Sequence, residues 1–249
     1  MKNIIKSTFF FLVVLIGCSK DSINNPDGTR LYKVSYQAIG FDSASTYIIE
    51  YDINDRPVRI QEIYKNSYLN EGNIDIKYDT KGRFAGYTRQ GDSFSFEYDQ
   101  QDRIIRQYQK GIHTNGQTQL KNEYSYDNRG RLISVQGQLF QYDDSSNVAE
   151  VRSPAFVNNN GITTSIVIYQ ATYNKSPNAW NKIGMQMYFV FGEPLMLSKH
   201  NPVSFLYLST YKDEYTYEYY VSGYPKSVTI KTSISGNGDY SGRIEYEFR

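Results

Sequence analysis

Cysteine, histidine and tryptophan are almost absent from this 249-residue chain, which has one Cys, two His and one Trp. A lone cysteine leaves no internal disulfide, so the fold must hold by burial. His113 and His200 stand far apart, in no spacing such as His-Glu-x-x-His, so no zinc site is expected. Gly-x-Ser-x-Gly, Gly-rich phosphate loops and EF-hand spacings are also missing, which removes serine-hydrolase and nucleotide chemistry. No cofactor and no catalytic residue is therefore expected. An excess of one charge is lacking too: 27 basic against 26 acidic residues give +1, with no field to hold nucleic acid. No segment reads as an amphipathic helix of convincing length.

Tyrosine is what the chain has in quantity, with 25 Tyr and 13 Phe in a composition 39% hydrophobic and 21% charged. Such a chain suits strands and turns, and it is long enough for a sizeable core. The expectation is an all-β protein.

At the N-terminus, Lys2 and Lys6 precede an apolar run from Thr8 to Ile16. That run is too short to span a bilayer permanently and has the length of a secretory signal. It ends in Leu15-Ile16-Gly17-Cys18, which resembles the bacterial lipobox. The resemblance implies that residues 1–17 are cleaved and that Cys18 is acylated on sulfur and on its new N-terminus, with outer-membrane lipid as its partner. Removing Lys2 and Lys6 leaves the mature chain close to neutral. Residues 18–30, with Asn24-Asn25-Pro26-Asp27-Gly28, have no apolar periodicity and read as a lipidated flexible tether. Residues 31–249 read as one β domain. Ser19 stands after the cysteine where a retention signal would place Asp; by resemblance to lipoprotein sorting this implies the outer membrane.

A repeat runs through the domain. Tyr51-Asp52, Tyr78-Asp79, Tyr98-Asp99 and Tyr126-Asp127 are each followed, four residues after the Asp, by Arg. Tyr142-Asp143 is a degenerate fifth copy, and Tyr219 to Gly223 a sixth without the Asp. The chemistry is that of a turn: Asp52, Asp79, Asp99 and Asp127 accept from backbone amides ahead of them. Gly82, Gly130 and their Asp counterparts take the left-handed conformation that tight hairpins need. Counting outward from an even loop places the Tyr, the residue two before it, and the seventh and ninth after it on one apolar face. An odd loop would break that face, so the even register is expected. The same reading assigns the Asp residues to turns and not to paired glycosidase carboxylates. With further alternating segments, about 14 to 17 strands form an antiparallel meander that closes into a barrel or covers its aromatic face as a two-layer sheet.

One stretch, about 174–202, breaks the series. It holds Trp180, Tyr188 and three of the four Met, and reads as a plug of the core or as a lid with Trp180 exposed to a ligand. Tyr207, Tyr211, Tyr215, Tyr220 and Tyr224 crowd the C-terminal third on both strand faces. Trp180, Tyr188 and Tyr211 are the candidate ligand-binding residues, because Tyr and Trp stack on sugars or peptides.

The Tyr-Asp-x-x-Gly-Arg pattern at Tyr78 and Tyr126 resembles the YD or Rhs repeat of bacterial surface proteins, which forms β-hairpins. The lipobox, the serial hairpins, Tyr173-Asn174-Lys175 and Leu197-Ser198-Lys199-His200-Asn201 together resemble uncharacterised Gram-negative outer-membrane lipoproteins with a porin-like fold. This resemblance implies a non-enzymatic, lipid-anchored outer-membrane protein at the cell surface or facing the periplasm. Such a protein binds an extracellular glycan or peptide; the alternatives are an assembly lipoprotein packing on an outer-membrane partner, and a transmembrane β-barrel.

Overall fold

The computed structural model describes residues 31–39, 44–65, 72–157, 162–177, 184–221, 223–235 and 238–248. Cys18 and Trp180 lie outside them. The first strands are β1 (Leu31–Ile39), β2 (Ala44–Tyr51), β3 (Pro57–Lys65), β4 (Gly72–Tyr78), β5 (Phe84–Arg89) and β6 (Asp92–Tyr98). β7 (Ile104–Gly111), β8 (Gln119–Tyr126), β9 (Leu132–Val135), β10 (Gln138–Tyr142) and β11 (Val148–Arg152) continue the meander. After the short pair β12 (Phe156–Val157) and β13 (Thr163–Thr164) comes β14 (Val167–Pro177). Helix α1 (Gly184–Phe191) precedes β15 (His200–Tyr207), β16 (Tyr211–Tyr219), β17 (Pro225–Ile234) and β18 (Gly238–Phe248).

β1 to β11 and β14 to β18 close into a sixteen-strand antiparallel barrel; β12 and β13 pair only with each other. Closure runs from Leu31 opposite Phe248 to Ile39 opposite Ser241, which removes the free edges that an open sheet would expose. The Tyr-Asp turns all lie at one rim, with Leu31 and Phe248 beside them. The opposite rim carries the links from β7 to β8, β11 to β14 and β15 to β16.

The turns correct the expected register. Asp52 N–H donates to Arg56 O at 2.9 Å and Asp55 N–H to Asp52 O at 3.1 Å, which encloses three residues, an odd loop. The third loop residue is left-handed in every copy: Asp55, Gly82, Asp102, Gly130, Ser146 and Gly223 have φ from 57° to 85°. Glycine suits that position because it has no Cβ to clash. Parity is restored by a β-bulge next to the turn. Tyr51 faces Pro57, Glu50 faces Arg59 and Ile49 faces Ile60, leaving Val58 over. The other five hairpins repeat this shift. The ninth residue after each Tyr is therefore buried as expected, whereas the sixth replaces the seventh: Pro57, Phe84, Ile104, Leu132, Val148 and Pro225 are all buried. An odd loop plus a bulge has the same parity as an even loop, which is why face counting alone mistook one for the other.

The inward face is apolar, with Leu31, Ile60, Ile74, Leu132 and Ile244 excluded from solvent. Outward positions carry charge, paired along the wall as Arg59–Asp75 (2.6 Å), Lys33–Glu247 (2.6 Å), Arg106–Glu97 and Arg106–Glu123 (both 3.2 Å) and Arg243–Glu218 (3.1 Å). A sixteen-strand barrel is wider than the side chains of its own strands can fill. Part of the interior is taken by α1, whose Met187, Tyr188, Phe189 and Val190 are all buried. Apart from Gln186 the helix is apolar, which explains why no amphipathic pattern announced it. It ends at Gly192, left-handed at φ 79°, whose N–H closes the last turn on Tyr188 O. The described part of the 174–202 stretch is thus a plug, and β14 and β15 extend further into it than expected.

Candidate functional site

At the turn rim, each Asp acts as a clamp. Asp79 Oδ1 accepts from the backbone N–H of Lys81 and Arg83, and Oδ2 accepts from Arg83 Nε at 2.7 Å. Asp52, Asp99 and Asp127 repeat the arrangement with Arg56, Arg103 and Arg131. The hydrogen bond from the Arg56 side chain holds the Asp52 carboxyl below its usual range. At Asp79, Asp99 and Asp127 desolvation pushes the other way and is outweighed by bonds from the arginine backbone and side chain.

Each clamped guanidinium then lies over the tyrosine of the next hairpin: Arg56 over Tyr78 (4.3 Å), Arg83 over Tyr98 (4.2 Å), Arg103 over Tyr126 (5.0 Å) and Arg131 over Tyr142 (4.7 Å). The tyrosine hydroxyls reach back. Tyr78 donates to Pro57 O, Tyr98 to Phe84 O, Tyr126 to Ile104 O and Tyr142 to Leu132 O, at 2.5 to 2.9 Å. These carbonyls belong to the buried residue flanking the bulge of the preceding hairpin. The motif is therefore a chain of interlocked hairpins, and its carboxylates are committed to structure.

Inside, the ring contacts of α1 among the described residues run to one half of the barrel. Phe189 lies 4.9 Å from Tyr124 and 5.5 Å from Phe96, Tyr188 lies 6.0 Å from Phe140, and Phe191 lies 6.2 Å from Tyr47. The polar groups of this half are matched. Glu62, fully buried, takes both Nε and Nη2 of Arg89, and Gln107 bonds Tyr87, Tyr124 and Asn122.

The half built from β14 to β18 and β1 is different. Tyr215, Tyr217 and Tyr219 alternate along β16 and stack at 6.5 and 5.7 Å with ring planes 19° and 25° apart, running from the interior to the turn rim. Tyr219 is 38% exposed at the outer end and accepts from Asn174 Nδ2. At the inner end Tyr215 donates to Asp213, whose carboxyl burial pushes up against the hydrogen bonds of Thr232 and Tyr215.

Past the end of α1 lies Glu193. Burial pushes its carboxyl up to about 8, and its charge is felt at the hydroxyls of Tyr169, Tyr188 and Tyr215. Glu193, Tyr173 and Tyr217 are half-buried.

Of the candidate ligand residues, Tyr188 is buried in the plug and Tyr211 is half-buried at the opposite rim, 6.4 Å from Tyr207, so these two are not brought together. His113 bonds the buried Asp92, and His200 bonds Asn147. Among the described residues no group of three metal-ligating side chains gathers. Sequence reasoning missed Glu193, Asp213, Tyr217 and Tyr219. The available signal was the strict alternation Asp213-x-Tyr215-x-Tyr217-x-Tyr219, which places an acid and three rings on one strand face.

No protein-family model and no curated protein matches the chain. Among solved structures it is similar to a porin-like protein from Bacteroides uniformis ATCC 8492. The identity is 13%, over 88% of this chain and 98% of that one, with a TM-score of 0.56. The chain has a porin-like fold. A porin-like protein from Bacteroides vulgatus ATCC 8482 aligns over the same shares at 14% identity with a TM-score of 0.49. In this porin-like barrel α1 packs against the rings of one side, and tyrosines of β16 stack on the other.

Proposed function

We propose that this chain is a non-enzymatic outer-membrane lipoprotein, held by acylated Cys18, that binds an extracellular glycan or peptide. The observation that carries this reading is the polarity of the wall. A bilayer-spanning barrel needs an outward apolar band, and each Arg or Lys at the midplane costs about 2–4 kcal/mol. This barrel turns Arg59, Arg106, Lys212 and Arg243 outward, each with an acidic partner, and keeps most of its apolar side chains within. Such a wall suits water, so attachment to the membrane falls to the lipid on Cys18. Leu31, where the tether joins, lies at the turn rim, so the opposite rim points away from the anchor.

Fractionation tests the anchor. The mature N-terminal peptide should carry acyl chains, and a Cys18→Ala chain should move to the soluble fraction. A Cys18→Ala protein that resists alkaline extraction would instead mean that the barrel itself spans the bilayer. A glycan array on the purified lipoprotein tests the recognition half of the reading.

A second reading, an assembly lipoprotein packing on an outer-membrane protein, draws on the far rim. Ile39, Ile112, Leu120, Leu139, Phe156 and Val157 are exposed there. Exposed apolar groups collected at one end of a barrel suit a protein partner. Crosslinking in intact cells followed by identification of the adduct separates the two readings.

A further inference from the structure

We propose that the sector of the turn rim where the tether joins is a membrane-contact surface, at which Ile53 and Val221 dip into the headgroup layer of the leaflet that holds Cys18. The proposal rests on the lipid-anchor reading; it adds which face of the barrel meets the bilayer and through which side chains.

The first observation is a departure from the repeat. Asp55 N–H closes its turn on Asp52 O and Gly223 N–H closes its turn on Tyr220 O, so Ile53 and Val221 hold the same place, the first residue of the loop. In the other four hairpins that place is polar, as Thr80, Gln100, Asn128 and Asp144. Ile53 is 97% and Val221 110% exposed, more than any other large apolar side chain among the described residues. Scattered exposed apolar residues are ordinary, so the weight falls on where these two stand.

The second observation is their place. Round the barrel the strands run β3, β2, β1, β18, β17, β16, so the turns carrying Ile53 and Val221 are the two that flank Leu31 and Phe248. The turn centres are four strand spacings apart, about 20 Å, and the chain enters between them. Residues 18–30 span at most about 45 Å even when fully extended, so an acylated Cys18 keeps this sector beside its own bilayer. Two apolar tips are too few to hold a free protein on lipid, but an anchor already in the leaflet raises their effective concentration there. The far rim also exposes apolar groups, a strand length away from Leu31.

The third is their company. Tyr220 and Tyr224 each lie 5.7 Å from the ring of Phe248, and Tyr219 is exposed beside them. Tyrosine joins an apolar body to a polar tip, which is the combination enriched at membrane–water interfaces. The four remaining turns instead carry Lys81, Gln101, Arg129 and Ser145 as their second, exposed loop residue. Apolar loop tips are thus confined to the sector of the tether.

Depth-dependent quenching on the mature lipoprotein tests this, in vesicles of phosphatidylethanolamine and phosphatidylglycerol that contain nitroxide-labelled lipid. With Cys18 acylated, Asn54→Cys supplies one free thiol for a fluorophore beside Ile53, and Ile112→Cys supplies one at the far rim. Nitroxides near the headgroups should quench the label at 54 at least about twofold, as expected for a group at the depth of interfacial side chains, and leave the label at 112 unchanged. Adding Ile53→Ser and Val221→Ser together should bring the quenching at 54 down to the level at 112; both side chains are exposed, so the fold does not depend on them. Equal quenching at the two sites, stronger quenching at 112, or quenching at 54 that survives the double substitution would overturn the contact surface. An acylated N-terminal peptide in a protein whose labels fail removes the surface and keeps the anchor. An N-terminal peptide without acyl chains removes both.

Discussion

The two halves of the barrel solve the same packing problem in opposite ways. From β2 to β9 four hairpins end in the same Asp-Arg clamp, each clamped arginine stacks on the next tyrosine, and α1 presses Tyr188, Phe189 and Phe191 into the space behind. Its buried Glu62 is matched with the guanidinium of Arg89. From β14 to β18 the Asp-Arg clamp lapses, the strands lengthen to between eight and eleven residues, and the acids Glu193 and Asp213 face hydroxyls where the first half provides an arginine. Where a repeat is kept, local turn chemistry and global packing agree. Where it lapses, the sequence leaves two acids that no basic side chain pairs with among the described residues.

The largest test of this contrast is truncation of the plug. Phe189 is 5% exposed and touches rings of β6 and β8, so Phe189→Ala should cost about 3–5 kcal/mol in urea unfolding. A loss well under 1 kcal/mol would mean that the first half is as loosely filled as the second.

Glu193 provides the next. Its carboxyl sits near 4.5 when unfolded and at about 8 in the fold, so the folded state holds the extra proton between those values. Stability should therefore be greatest below about pH 4.5 on this account and fall by roughly a few kcal/mol as pH rises to 8. Thermal melts across that window should show the slope in the wild type and lose it in Glu193→Gln. Tyr169, Tyr188 and Tyr215, which face Glu193, are pushed above their usual values by burial and stay neutral throughout.

The clamps respond in the opposite sense and in a lower window. Asp52, Asp79, Asp99 and Asp127 are held below their ordinary pKa, so the stability they contribute is present above about pH 4 and lost as pH falls through their folded values. Asp99→Asn should shallow that acid limb in melts below pH 4 without touching the slope near neutrality. The smallest effect belongs to Tyr246, whose buried hydroxyl finds no partner among the described residues. Tyr246→Phe should be neutral or stabilising by up to about 1 kcal/mol.

The all-β meander, the six hairpins and the left-handed turn positions were legible in the sequence because each is a local property: Asp bonding amides ahead of it, Gly or Asp four residues after Tyr. The bulge was not, since an odd loop with one extra residue mimics an even one. Barrel closure depends on Leu31 meeting Phe248, more than 200 residues apart, and pattern carries no information on that pairing. The helix was hidden because its sequence, apolar apart from Gln186, carries no polar stripe. Glu193 was passed over because its neighbours Gly192 and Pro194 read as an ordinary turn; what sets it apart is where the plug carries it.

Thiol accessibility measures the difference between the halves most directly, because Cys18 is the only cysteine and a Cys18→Ala chain has none. Single cysteines at Phe189 and Tyr217 would report on the two sides of one lumen. In the folded protein Tyr217→Cys should react with a small thiol reagent at a rate within about tenfold of the unfolded chain, while Phe189→Cys should be protected by several orders of magnitude until the barrel opens. Equal protection at both sites would show the second half packed shut, and equal reactivity would show the plug not packed at all; either contradicts the account.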